Sequence, residues 1–80
     1  MTNTELQEEI RLCSSLLQKF KEDLADCKKD YDALKKLEEQ DKDKPEFKKA
    51  FLAVKERNGD LTASIKLLNW RLEQLQKGNE

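Results

Sequence analysis

The side chains that could do covalent or metal chemistry are few, and their spacing keeps them apart. The chain of 80 residues has two cysteines, Cys13 and Cys27, and no histidine. A thiolate is a nucleophile or metal ligand only when a base, a cation or further ligands stand beside it. On one helix these two sulfurs would lie about 21 Å apart along the axis, too far to bridge within an arm. Glu8-Glu9 and Glu38-Glu39 fall on exposed helix faces rather than across a cleft. Without histidine the commonest general base and metal ligand are gone. The chain also lacks a glycine-rich phosphate loop and a nucleophile elbow. The expectation is a non-enzyme with no cofactor, no metal and no small-molecule substrate.

What the sequence does carry is a rhythm. Leu6, Ile10, Cys13, Leu17, Phe20, Leu24, Cys27, Tyr31 and Leu34 follow one another at alternating gaps of four and three. Apolar residues every 3.5 positions stay on one line of a slightly underwound helix, the seam of a coiled coil. In that pattern the two cysteines are small apolar seam residues, which fits a reducing compartment, and a cytoplasmic location is expected. Phe47, Phe51, Val54, Asn58, Leu61, Ile65, Leu68, Leu72 and Leu75 repeat the rhythm. The two seams are out of phase: Tyr31 to Phe51 is 20 residues, one short of three heptads.

A break between the seams resolves the phase. Residues 38–45 read Glu-Glu-Gln-Asp-Lys-Asp-Lys-Pro, without an apolar side chain. Pro45 is disfavoured inside a helix and well placed in a new first turn. The fold expected is all-α, an antiparallel two-helix hairpin. A first helix covers about residues 4–40, a turn about 41–45 and a second helix about 45–77, bounds of the usual precision. Thr2, Asn3 or Thr4 starts the first helix, with Thr4 and Gln7 as a capping box, and Asp43 is the candidate cap of the second. Asn58-Gly59-Asp60 is the place where a turn would create a third helix. The sevens from Val54 through Leu61 to Leu68 run straight across it and predict a continuous helix.

Pairing the arms symmetrically about residue 43 sets Asn58 opposite Cys27 and close to Tyr31. There amide and phenol would satisfy one another, making Asn58 and Tyr31 the register-setting pair. Asp30 and Arg57 would form a favourable flank pair. Lys28 would face Lys55 and Lys35 would face Lys48, a basic ridge and the one hint of nucleic-acid contact. With 16 basic and 17 acidic residues interspersed and a net charge of −1, no global field favours a nucleic-acid or anionic membrane partner.

Leu12, Leu16, Leu67 and Trp70, with Leu37 and Leu52 elsewhere, lie off the seams. The first four gather at the open end of a hairpin, and tryptophan is favoured where proteins meet. A two-helix hairpin is marginal on its own, and pairing of two into a four-helix bundle covers its remaining apolar edge. The expected function is therefore a protein-protein interaction module: a free-standing small adaptor, assembly factor or inhibitor that binds a partner protein or itself as a homodimer. A nucleic-acid-binding accessory protein and a structural coiled-coil spacer are the competing classes.

Overall fold

The computed structural model describes residues 2–78. Helix α1 spans Asn3–Asp41 and helix α2 spans Pro45–Lys77. They pack antiparallel into a rod with extents of 57 × 15 × 14 Å. At ~1.5 Å rise per residue, α1 alone accounts for the length of the rod.

The helix ends are set by local chemistry: α1 begins at Thr2, one of the three expected starts, in place of the Thr4–Gln7 box, and the expected Asp43 cap of α2 does not form. Thr2 is the N-cap of α1: its hydroxyl accepts from the Glu5 amide at 3.2 Å. Thr2 and Glu5 have the same three-residue spacing as Thr4 and Gln7, and the earlier pair wins because it lets the helix begin two residues sooner. At the start of α2 the N-cap is Lys44, not Asp43, and no side chain caps it. Asp41 takes over the ordering of the connection. Its carbonyl accepts from the Lys44 amide at 2.9 Å, and its carboxylate holds the Lys44 ammonium at 2.9 Å. Pro45 then supplies the first helical residue without needing a partner for an amide hydrogen.

Asn58-Gly59 does not break α2. Neither glycine adopts a positive φ, and a Cβ built on Gly59 would meet nothing within 4 Å. Glycine is therefore not required there by packing, and relative to alanine it weakens the helix by about 1 kcal/mol. The long packed seam absorbs that loss.

Every seam residue is buried or half-buried, while most residues off the seam are exposed. The tightest points are Leu6, Leu17 and Cys27 on α1 and Leu61 and Leu75 on α2. Cys27, at 2% exposure the most enclosed, donates its thiol to the Val54 carbonyl at 3.4 Å.

That contact also corrects the register. Cys27 faces Val54, and the Tyr31 ring lies 5.3 Å from the Phe51 ring. Carrying both spacings outward pairs all nine seam residues of α1 with all nine of α2, from Leu6 level with Leu75 to Leu34 level with Phe47. Symmetric pairing about residue 43 would have left Leu6 and Phe47 without partners. The apolar stripes, not the turn, decide the alignment, and the last turn of α1 consequently overhangs the start of α2. Asn58 sits level with Leu24 rather than Cys27. Tyr31 is seven residues away at the level of Phe51. The expected amide–phenol pair does not form, and the Asn58 Oδ1 is buried without a hydrogen-bond partner.

Candidate functional site

Two flanks run along the rod, one on each side of the seam, and they differ in chemistry. On the first lie Lys28 and Lys35 from α1 and Lys48 and Lys55 from α2, all exposed. The structure does not leave them as a free row of charges. The Lys35 ammonium stands 5.5 Å from the Phe51 ring centre and 5.8 Å from that of Tyr31, and Lys55 stands 5.5 Å from Phe51. Both lie within the range of cation–π attraction. Phe47 stacks on Phe51 at 5.7 Å. Lys35 also pairs with Glu38 at 3.3 Å. The hydrogen bond and charge of Glu38, with a smaller contribution from Tyr31, hold the Lys35 pKa above the ordinary lysine value. Half of the ridge thus covers an aromatic cluster near the turn.

On the second flank, Glu9, Leu16 and Asp23 recur by sevens on α1, and Arg57, Ser64 and Arg71 by sevens on α2. Arg71 donates to Glu9 at 2.6 Å across the two helices. That hydrogen bond first, and the carboxylate charge second, raise the guanidinium pKa. Both side chains are substantially solvated, so the bridge orients more than it stabilises.

The four expected binding residues lie toward the same end of the rod as this bridge. Leu12 is one turn along α1 from Glu9, and Leu16 one turn further. Trp70 precedes Arg71, and Leu67 is one turn before it. They are 61%, 46%, 54% and 63% exposed respectively, so intramolecular packing leaves each largely open. Leu37 and Leu52 are also exposed but lie toward the other end.

The same flank continues into a feature that sequence reasoning missed. An open groove of about 470 Å³ is lined by Phe20, Asp23, Ala53, Arg57, Leu61 and Ser64, with Glu56 and Asp60 also on its wall. The small side chains of Ala53 and Ser64 leave room in it, and apolar and charged groups share its lining. Arg57 therefore shares its surroundings with Asp23. The expected partner, Asp30, lies one heptad too far along, and no ion pair joins Asp30 to Arg57. A pairing that fills every seam layer would have shown this from the sequence.

Among the described residues, no group of three or more His, Cys, Asp or Glu could hold a metal ion. Cys13 is half-buried and Cys27 buried, and both are free thiols. Among the described residues no helix is long and apolar enough to cross a membrane.

The fold defines a class, the all-α helical hairpin. Comparison with known proteins takes it no further: no family model matches the chain, and neither a curated protein nor a solved structure matches it significantly.

Proposed function

We propose that this chain is a non-catalytic protein-protein interaction module, a small adaptor, assembly factor or inhibitor whose working surface is the open-end patch of Leu12, Leu16, Leu67 and Trp70. The supporting observation is their joint exposure toward the open end of the rod, where the Arg71–Glu9 bridge also lies. Apolar groups around a solvated ion pair have the make-up of a docking surface, in which an aromatic anchor carries affinity and polar groups fix orientation. The partner of first choice is a second copy, giving a four-helix homodimer.

Absolute mass by light scattering, with reductant and over a range of concentrations, tests this. The expected result is a dimer that dissociates when Trp70→Ser and Leu16→Ser are introduced together, with helicity retained. If the double variant assembles like the parent, the patch is not the working surface. A helical monomer would leave the same patch as bait for a different protein.

Binding of nucleic acid through Lys28, Lys35, Lys48 and Lys55 has weaker support. Lys35 and Lys55 cover Phe51, and Lys35 is also neutralised by Glu38. Retention on DNA or RNA at low salt, lost steeply as salt is added, would favour it.

A further inference from the structure

We propose that Asn58-Gly59 is a spontaneous modification site, opened by local fraying of one turn of α2, and that its reaction undoes the seam. Three features meet in this turn. The Asn58 Oδ1 is buried with no hydrogen bond to hold the amide in place. Gly59 has open space where a Cβ would stand, so no neighbour packs against it to keep the turn closed. The Thr62 hydroxyl donates to the Asn58 carbonyl at 2.8 Å, a local bond that competes with the helical ladder and favours bending. The weakest residue for helix formation thus adjoins an unanchored amide in the middle of a 33-residue helix.

The chemistry needs only water. When the turn opens, the Gly59 backbone nitrogen gives up its proton and attacks the Asn58 Cγ. The Cγ–Nδ2 bond breaks and ammonia leaves with that proton, closing a five-membered succinimide. Glycine favours this step because it has no side chain to hinder the attack. Water then adds to one of the two imide carbonyls and opens the ring, giving aspartate or isoaspartate at position 58. No electrons are transferred, and mildly alkaline solution speeds the first step by removing the amide proton. While α2 stays closed, its own hydrogen bonds hold the Gly59 nitrogen out of attacking geometry.

Either product sits badly in the hairpin. Position 58 is level with Leu24, and its neighbours along the α2 seam are Val54 and Leu61. Aspartate would introduce an unpaired carboxylate among apolar side chains. Isoaspartate would also lengthen the backbone within the helix and break its ladder.

The test is to hold the folded chain in mildly alkaline buffer at physiological temperature, with a parallel sample in denaturant. Peptide mass mapping and isoaspartate-specific methyl labelling then follow Asn58, with Asn3 and Asn69 as internal references. Asn58 should convert several-fold faster than either reference in the folded chain, more slowly than in denaturant, and with helical signal lost in step. Gly59→Ala should abolish conversion while keeping the fold. If Asn58 stays intact in the folded chain while the denatured sample converts, the site is closed and the proposal fails. If Asn58 converts without loss of helix, or Asn58→Asp melts with the parent, the consequence for the seam is wrong.

Discussion

The two ends of the rod treat their aromatic side chains in opposite ways. Near the turn, Tyr31, Phe47 and Phe51 form a ring cluster under Lys35 and Lys55, with Lys35–Glu38 and Asp41–Lys44 ion pairs beyond it. At the open end, Leu12, Leu16, Leu67 and Trp70 have no comparable cover, and one ion pair, Arg71–Glu9, joins the two helices there. The same chain, with the same supply of long charged side chains, covers one cluster and leaves the other bare. Leu37 and Leu52 are also exposed toward the turn, so the open end is set apart by the number of its exposed apolar side chains and by the tryptophan among them.

The contrast can be broken from either side. The largest effect belongs to the open end. Trp70→Ser with Leu16→Ser should weaken self-association by about 4 kcal/mol, two hot-spot residues' worth, read as dissociation by light scattering with circular dichroism almost unchanged. Phe51→Ala should act the other way. It removes the ring between Tyr31 and Phe47 and should lower folding stability by about 3 kcal/mol, as half-buried aromatic truncations do. Thermal melting would show it, and association should weaken only as far as the fold does.

Asn58→Leu lies between the ends and sharpens the comparison. Removing an amide whose oxygen is buried without a partner should stabilise the hairpin by about 1–2 kcal/mol. The measurement is a chemical denaturation midpoint with an unchanged slope. If register depends on the polar residue, the variant should also populate alternative assemblies, visible as mixed masses.

The smallest effect is a pH dependence at the turn end. The folded-state pKa of Lys35 is raised, chiefly by Glu38. Its contribution to stability is therefore complete below the pKa of an unfolded lysine and is lost as pH climbs through the raised folded value. Lys35→Met keeps an unbranched apolar side chain without the charge and should flatten the alkaline arm of stability against pH, with little change near neutrality.

Much of the fold was legible because a 3.5-residue repeat survives translation into a single face of a helix. Both seams, the break before Pro45 and the continuity of α2 through Gly59 follow from that. Register was harder to read, since a polar turn does not announce how far one helix overhangs the next. Matching Tyr31 with Phe51 and Leu34 with Phe47 needed the rule that no seam residue be left over. Caps were ambiguous where equivalent residues compete, as Thr2 does with Thr4, or where a lysine takes the cap position, as Lys44 does. Off-seam spacing brings the candidate patch to one end. The adjoining groove depends on the corrected register, because only then does Asp23 come level with Arg57.

A rod of 57 × 15 × 14 Å writes the geometry of any assembly into its friction. Two copies lying fully side by side would keep the length and thicken the cross-section, sedimenting fast for their mass. Two copies overlapping only through their open ends would reach between one and two rod lengths, drag more heavily and slow the end-over-end tumbling sensed by Trp70 fluorescence. Sedimentation velocity and anisotropy decay therefore distinguish a bundle from a staggered pair at equal mass.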